Sequence, residues 1–230
     1  MSHIGVVAAL EAEARTLGPA VRRRDGLASL GDGALLAVSG MGGDLAAPAA
    51  RRLVEAGVSA LLSFGLAGGL DPALRAGRVV LPDEVISRDG MRMHTSSEWH
   101  RHLSRAIADL EPVSGALLSS VGPVAAVEDK ALLFRETGAV AVDMESVAIA
   151  QVAAAHELPF MAVRVIVDGA ADALPRAVAA AGRSGRLSIL RLIGGIAAAP
   201  QDLVGLIRLS RRYRAATRSL AAVARDAHIA

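Results

Sequence analysis

Residues 60–70 read ALLSFGLAGGL, an apolar run that passes directly into a glycine-rich segment. A nearly continuous apolar run is typical of a strand whose two faces are both buried, as in a parallel sheet. The glycines that follow predict a tight exit at the carboxyl end of the strand, which is where ligands bind in open parallel sheets. This stretch therefore favours an α/β protein with a crevice beside residues 65–70.

Five further apolar runs resemble this strand, and helical patterns lie between them. The six predicted strands are Ile4–Ala9, Ala34–Ser39, Ala60–Gly65, Val79–Leu81, Ala139–Val142 and Phe160–Val167. The clearest helices are Asp44–Val54, capped by Asp44, and Glu145–His156, which ends before Pro159. Because strands and helices alternate, the crossovers are right-handed and the strands run mostly parallel. The sequence predicts a single-domain three-layer α/β/α fold over residues 1–230, with a mixed, mostly parallel central sheet.

The composition narrows the chemistry. The 230 residues are 53% hydrophobic but only 2% aromatic, so Ala, Val, Leu and Ile must fill the core, which suits α/β layers. A net charge of +2 does not predict a nucleic-acid partner; the basic residues are nearly all arginines, with Lys130 the only lysine. The absence of cysteine excludes disulfides, thiolate metal sites and cysteine nucleophiles. Any catalysis must use carboxylates, histidines, hydroxyls or the backbone.

A second glycine-rich turn, GMGG at residues 40–43, leads from a predicted strand into a predicted helix. Backbone amides at a helix N-terminus bind phosphate groups and could equally approach a ribose, so this turn is a candidate binding element. A dinucleotide site is not favoured, because Leu45 stands where a third glycine is needed and residues 60–65 contain no acid. Two glycine turns at two strand ends indicate one site between them.

Residues 142–145 read VDME and place two acids where a predicted strand meets a predicted helix. Alternation along the strand sends Asp143 and Met144 to opposite faces, and Glu145 lies in the first helical turn, where the helix dipole favours its charge. A carboxylate at that place can accept two hydrogen bonds from a vicinal diol. The alternative is that Glu145 only caps the helix.

Residues 164–169 read RVIVDG and carry two charges on an apolar strand. A charge within a buried strand is costly unless it is paired, so we expect Arg164 to meet an acid. Asp168 at the strand end could hold a proton and act as a general acid if burial raises its pKa, and the alternative is an ordinary turn aspartate. Glu13, directly after the first strand, means little by itself.

Three histidines, His94, His100 and His102, lie close to Glu98 and Trp99. Metal binding needs converging ligands, and this spacing fits no common site, so no metal is predicted. We interpret the segment as a solvated loop, with a lid over the crevice as the alternative.

The two ends of the chain differ in character. Residues 1–9 lack the basic flank and long apolar core of a signal peptide, and no uncharged apolar stretch of about 18 residues occurs. From about residue 173 the chain becomes helical, rich in Leu, Ile, Val and Arg, with helices at Leu187–Ile196 and Asp202–Ala224. We expect a helical layer with arginines on its solvated face; a surface touching a membrane or a very apolar ligand is the alternative. The predicted location is the cytoplasm, or the inner face of the membrane under that alternative.

Five motifs occur in a characteristic order: IGVVAALEAE at 4–13, SGMG at 39–42, FGLAGGL at 64–70, AVDME at 141–145 and VRVIVD at 163–168. In this order and spacing they resemble the purine nucleoside phosphorylase and uridine phosphorylase superfamily, nearest to its methylthioadenosine/S-adenosylhomocysteine nucleosidases. The VDMES sequence at 142–146 and the arginine-rich apolar C-terminal region also resemble the hopanoid-associated phosphorylases, which remove adenine from adenosylhopane.

The resemblance implies a role for each acid. Asp168 would bind adenine N7 and N6 and protonate the leaving base. Glu145 would hold the ribose hydroxyls, with Met144 packed beside the sugar. Glu13 matches the acid that orients the attacking water in the nucleosidases, where the phosphorylases carry a phosphate-binding arginine.

The resemblance also implies a supporting shell and a set of partners. Arg164 matches a strand arginine that supports the region of the catalytic aspartate, and Asp143 lies in the same supporting group. The pocket for the nucleophile or sugar would comprise Gly40, Leu66, Ala67 and Gly68. The implied substrate is an adenine nucleoside with an apolar 5′ group. The resemblance implies neither a cofactor nor a metal, and it implies a homodimer.

Two departures from the family pattern leave the nucleophile open. Leu66 and Val167 stand where the family often has serines, so the hydrogen bonds of those hydroxyls are missing. Glu13 would repel phosphate, so the residues favour water, whereas the resemblance to the hopanoid-associated group favours phosphate as co-substrate. A rival class, a nucleotide-binding module that docks on a membrane without catalysis, gives no reason for three acids at three element ends.

Overall fold

The computed structural model describes residues 3–23, 25–174 and 202–229. Within these ranges one sheet contains eleven strands: β1 (His3–Ala8), β2 (Ala20–Arg22), β3 (Ala28–Leu30), β4 (Leu35–Val38), β5 (Val58–Gly69), β6 (Val79–Val80), β7 (Glu84–Ile86), β8 (Arg92–His94), β9 (Ala116–Ser119), β10 (Ala141–Asp143) and β11 (Phe160–Asp168). The helices are α1 (Glu11–Ala14), α2 (Gly43–Glu55), α3 (Ser97–Ala106), α4 (Val127–Thr137), α5 (Ser146–Ala155) and α6 (Asp202–Asp226). Short 3₁₀ helices span Arg15–Leu17, Gly31–Gly33 and Ala108–Leu110.

The longest strand, β5, organises the sheet. It pairs in parallel with β1 along one edge and with β11 along the other, and β1 in turn pairs in parallel with β4. The last residues of β5 pair antiparallel with β10, which continues through parallel pairs to β9 and β7. The remaining antiparallel pairs involve the shorter strands β2, β3, β6 and β8. The predicted mixed sheet, with parallel pairing among the predicted strands β1, β4, β5 and β11, is confirmed.

Apolar side chains project from both faces of the central strands, and helices cover each face. Along β5, Leu61 and Leu62 are both fully buried, although they point to opposite faces. Leu61 lies in the core that α2 and α5 cover, together with Leu53 and Ile149. Leu62 lies in the second core, together with Leu220 of α6. The predicted helix, sheet and helix layers are therefore present, and burial on both faces explains the continuous apolar run.

The glycine-rich segment at residues 65–70 is not the predicted turn, because β5 continues through it to Gly69. A Cβ atom on Gly65 would lie 2.7 Å from Glu13 Oε1, and one on Gly68 would lie 3.3 Å from Val142 Cγ1. The glycines thus leave room for a carboxylate on one side and for β10 on the other. Close approach, not chain reversal, explains them.

The helix α2 begins at Gly43, with Gly42 as its N-cap at a φ of +100°, so Asp44 is a first-turn residue and not the predicted cap. The short strands β2, β3, β7, β8 and β9 and the helices α3 and α4 were not among the predicted elements. The strands β2 and β8 are mostly exposed and form no apolar run, whereas the equally short β4 and β10 are buried and apolar and therefore stand out in the sequence.

The C-terminal region is helical where it is described. α6 covers the predicted helix Asp202–Ala224, whereas the predicted helix Leu187–Ile196 lies outside the described residues. Each helix within the described ranges is too short or too polar to cross a membrane. The single domain over residues 1–230 extends past these ranges and stays a prediction.

Candidate active site

A cleft of about 220 Å³ opens beside the carboxyl ends of β1, β5, β10 and β11. Three acids from three separate motifs, Glu13, Glu145 and Asp168, all line it. The strands β1 and β11 run parallel to β5, so their carboxyl ends meet at one edge of the sheet, and β10, antiparallel to the last residues of β5, brings Glu145 to the same place. Much of the remaining wall is apolar, with contributions from Leu10, Met41, Leu66, Val124, Val167 and Tyr213.

Glu13, in α1, is buried and its carboxylate is held by two backbone amides. Leu66 N–H donates to Oε1 at 2.9 Å, and Leu10 N–H donates to Oε2 at 2.9 Å. Burial raises the pKa of Glu13, while the Leu66 amide and the charge of Arg164 oppose the rise. The side chain therefore combines a fixed position with a raised basicity, as a general base requires.

Glu145 immediately precedes α5 and is also buried. Gly42 N–H donates to its Oε1 at 2.7 Å, and Met144 N–H lies 3.3 Å from Oε2. Burial, and next the charge of Asp143, raise the pKa of Glu145 to about 7, against the opposing charge of Arg164. The amide of Gly42 at the start of α2 thus binds the carboxylate of Glu145.

Asp143, which also lines the cleft, forms a buried ion pair with Arg164. The Arg164 guanidinium donates from Nε at 2.9 Å and from Nη2 at 2.6 Å to Asp143 Oδ2. Nη2 also donates to Ser63 Oγ at 2.6 Å and to Ser146 Oγ at 3.0 Å, and Ser119 Oγ donates to Asp143 Oδ1 at 2.5 Å. Arg164 meets an acid, as the cost of an unpaired buried charge predicts, and that acid is Asp143.

Asp168, at the end of β11, is only 3% exposed and is paired with Lys130, which the sequence interpretation missed. Lys130 Nζ also donates at 2.9 Å to the carbonyl oxygens of Gly169 and Asp172. Burial raises the pKa of Asp168, and the Lys130 charge opposes that rise. The one lysine among 25 basic residues was the available sign of a special position.

The remaining candidates divide into those that reach the cleft and one that does not. Met144, Leu66, Ala67 and Gly68 line it, and their roles beside the ribose stay predictions. Gly40 is not among the lining residues; its neighbour Met41 is. Tyr213 of α6 also lines the cleft; it was not among the predicted site residues, although contact of the C-terminal region with an apolar ligand was one of the alternatives.

The histidine segment is not a loop, because α3 begins at Ser97 and contains His100 and His102, while His94 ends β8. His100 Nε2 lies 2.9 Å from the carbonyl oxygen of Leu81, which ties the ring to the fold. Within residues 3–23, 25–174 and 202–229, none of the three histidines is in contact with the cleft, so they form no lid over it. In the same ranges, no group of three or more His, Asp or Glu side chains is placed to hold a metal ion.

A family model described as the phosphorylase superfamily matches residues 11–188. The chain belongs to this superfamily. The predicted family is confirmed, and with it the class of enzyme, a nucleoside phosphorylase or nucleosidase. No curated protein matches the sequence significantly.

Solved structures share the fold at low sequence identity. A 5′-methylthioadenosine/S-adenosylhomocysteine nucleosidase from Helicobacter pylori is 19% identical, with a TM-score of 0.68 over 85% of this chain and 98% of its own. The nucleosidase of the same name from Neisseria meningitidis is 24% identical, with a TM-score of 0.67 over 86% of this chain and 99% of its own. Futalosine hydrolase of Helicobacter pylori is 18% identical, with a TM-score of 0.68 over 85% of this chain and 97% of its own.

Proposed function

We propose that the protein hydrolyses the N-glycosidic bond of an adenine nucleoside, with water as the nucleophile. The observation that carries the choice of water is the position of Glu13. Its buried carboxylate accepts hydrogen bonds from the amides of Leu10 and Leu66, beside the strand segment that borders the cleft. Because Glu13 occupies those two amides, they are not free to bind an anionic co-substrate.

Two physical effects act against phosphate at this position. A carboxylate and a phosphate in a buried site repel each other strongly, because the low dielectric screens them little. The space is also occupied: Gly65 has no side chain, and a Cβ there would already lie 2.7 Å from Glu13 Oε1. A neutral water beside Glu13 suffers neither penalty and gains a base with a raised pKa.

The three acids divide the proposed reaction between them. The bond between C1′ of the ribose and N9 of adenine breaks, and its electron pair enters the purine as Asp168 gives a proton to N7. The sugar develops oxocarbenium character, which the nearby carboxylates stabilise, and Glu145 accepts hydrogen bonds from the ribose hydroxyls. The water oxygen bonds to C1′ and its proton passes to Glu13.

The nucleosidases and the futalosine hydrolase that share the fold support a nucleoside as the class of substrate. The apolar wall of the cleft, with Leu10, Met41 and Tyr213, supports an apolar 5′ substituent. We further propose adenosylhopane as the particular substrate, on the resemblance of residues 142–146 and of the C-terminal region to the hopanoid-associated group. A homodimer and a peripheral membrane contact are parts of the same proposal.

The decisive experiment follows adenine release from 5′-methylthioadenosine with and without phosphate, in water enriched in ¹⁸O. We expect equal rates in both buffers and ¹⁸O in the free sugar. A Glu13→Gln variant should lose turnover by about a hundredfold, the usual scale for a general base. Release that depends on phosphate and yields a sugar 1-phosphate would show a phosphorylase instead.

A second assay compares kcat/KM for adenosylhopane and for 5′-methylthioadenosine. We expect adenosylhopane to be the better substrate, because burial of a polycyclic hydrocarbon contributes roughly 25 cal/mol per Å² of apolar area. A higher value for 5′-methylthioadenosine would replace the hopanoid proposal with an ordinary methylthioadenosine nucleosidase.

A further inference from the structure

We propose that Lys130 is a positioning residue for the departure of the base: its ammonium fixes the Asp168 carboxyl group and stabilises the carboxylate that remains when Asp168 has given its proton to adenine. The proposal rests on the hydrolysis proposed above for its chemical step. Its structural basis, a buried pair between the only lysine and the acid at the end of β11, is independent of that step.

The geometry uses the full capacity of the ammonium group. Lys130 is 0% exposed, and its three N–H donors have three acceptors: Asp168 Oδ2, Gly169 O and Asp172 O. The two carbonyl contacts, both 2.9 Å, orient the third donor toward Asp168. Within the described residues, Asp168 Oδ1 has no hydrogen-bond partner, and the side chain lines the cleft. That oxygen is the one available to a purine.

The segment that follows β11 is also held in place around this pair. Asp172 Oδ2 accepts from Gly169 N–H at 3.0 Å, and its Oδ1 lies 2.6 Å from Arg212 Nη2 of α6. Leu174 N–H donates to Ala125 O at 3.0 Å, immediately before α4. Lys130, on α4, thus contacts a loop whose position is fixed from two sides, so it cannot readily move away from Asp168.

The proton transfer explains what a cation contributes here. When the O–H bond of Asp168 breaks and the proton passes to N7, a full carboxylate forms at a site that is only 3% exposed. A buried carboxylate without a partner is costly, but this one forms beside an ammonium that is already in position. Stabilisation by a preorganised charge requires no rearrangement during the reaction, and it is therefore effective.

The charge of Lys130 also affects the pH range in which Asp168 holds its proton. Burial raises the pKa of Asp168, and Lys130 is the largest influence that opposes the rise. The other charged groups that act on Asp168 are Asp172, which raises its pKa, and Arg212 on α6, which lowers it. Removing the Lys130 charge should therefore extend the protonated form of Asp168 to higher pH.

The first test uses the wild-type chain and no substrate. Because Lys130 is the only lysine, protein labelled with ¹³C-lysine gives one lysine Cε signal in an NMR spectrum. We expect this signal to show an inflection as Asp168 titrates. The inflection should vanish in Asp168→Asn and persist in Asp172→Asn. A signal without an inflection, or one that keeps it in Asp168→Asn, would overturn the pairing whether or not the protein is a nucleosidase.

The second test measures kcat/KM for adenine release from 5′-methylthioadenosine against pH. In Lys130→Met we expect a loss of about a hundredfold at the optimum, and the pH above which activity falls should rise by about one unit or more. A merely structural lysine would lower activity at every pH without moving that limit, and this outcome would contradict the proposal. Arg135→Met, which removes an exposed positive charge from α4, is the matched control and should change neither quantity. A wild-type protein that releases adenine from neither 5′-methylthioadenosine nor adenosylhopane would refute the proposed function and leave the NMR test valid.

Discussion

At the scale of single residues, four buried carboxylates among the described residues line one cleft, and the partners of three of them, Glu13, Glu145 and Asp168, distinguish those three. Glu13 is held by two backbone amides, Glu145 by the amide of Gly42 beside the charge of Asp143, and Asp168 by the ammonium of Lys130. Burial raises the pKa of all three, and each partner modifies it differently. Acids whose environments differ in this way can perform different steps of one reaction.

Replacement of Asp168 by Asn should lower turnover by at least about a hundredfold, because the leaving base loses its proton donor. The change also leaves the Lys130 ammonium buried without a counter-charge, a loss of about 3–5 kcal/mol in the free energy of unfolding. The double variant Asp168→Asn/Lys130→Met should recover much of that stability but none of the turnover. Urea unfolding and adenine release measure the two quantities, and near wild-type activity in either variant would remove Asp168 from the mechanism.

Replacement of Glu145 by Gln should raise KM and lower kcat together for a ribonucleoside, because the diol is bound more tightly as positive charge develops on the sugar. The matched 2′,3′-dideoxy substrate has no diol and should be insensitive to the change. Steady-state kinetics with the two substrates decide the matter. If both respond equally, Glu145 does not bind the diol.

Glu145 also predicts a pH dependence of stability. Its pKa rises from 4.5 to about 7 on folding, so the folded state binds this proton more tightly than the unfolded state. The resulting stability is fully present below about pH 4.5 and is lost as the pH rises through about 7. The Glu145→Gln variant has no carboxyl group to titrate here and loses no stability for this reason. Its free energy of unfolding should therefore rise relative to that of wild type by on the order of 1–3 kcal/mol between about pH 5 and pH 8. Urea unfolding at both pH values tests this, and an unchanged difference would contradict the pKa assignment.

At the scale of elements, β5 connects the fold to the site. Its first part holds the sheet together through β1 and β11, and its last part offers backbone and empty space to the cleft. Gly65 illustrates the second role, since the carboxylate of Glu13 lies where a side chain would be. A strand that packs on both faces thus also provides the floor of the site.

Gly65→Ala should displace the Glu13 carboxylate from the Leu66 amide, because the added Cβ would lie 2.7 Å from Oε1. We expect turnover to fall by about tenfold or more and the unfolding free energy to fall by about 1–3 kcal/mol, the range for overpacking. In the double variant Glu13→Ala/Gly65→Ala the added methyl group has room, and stability should return while turnover does not. Denaturant titrations that show no recovery would exclude this contact as the cause.

At the scale of the whole molecule, α6 closes the second core and reaches the cleft. Ala216, Leu220 and Val223 are fully buried on the face that packs toward the sheet, while Tyr213 lines the cleft. The ion pair between Arg212 and Asp172 links the same helix to the loop after β11. The C-terminal helix is therefore required by the core, and a chain cut before it would expose that core.

Leu220→Ala should lower the free energy of unfolding by about 2–5 kcal/mol, because it leaves a cavity in the core between α6 and the sheet. Arg218→Ala, on the exposed side of the same helix, should change it by less than about 0.5 kcal/mol. Urea unfolding of both variants provides the comparison. A small effect of Leu220→Ala would show that α6 is only loosely attached.

The sequence by itself determined the layered fold and the acids of the site. Apolar runs identify β1, β5 and β11, because burial on both faces requires apolar side chains at successive positions. Glu145 and Asp168 are visible at element ends because their type and local spacing are properties of neighbouring residues, whereas Glu13 was identified only through the family resemblance. The strands β2 and β8 are not visible in this way, since their residues are mostly exposed and form no apolar run.

Only the tertiary structure decided which groups face each other. Lys130 and Asp168 are 38 residues apart, and Gly42 and Glu145 are 103 apart, so no local pattern pairs them. Sheet order and helix packing bring them together, and burial then makes each contact strong enough to change a pKa. From the sequence alone, a glycine such as Gly65 fits equally well in a turn or at a place where another group packs close to the backbone. The choice depends on the Glu13 carboxylate, which reaches that glycine only when β1, α1 and β5 are assembled.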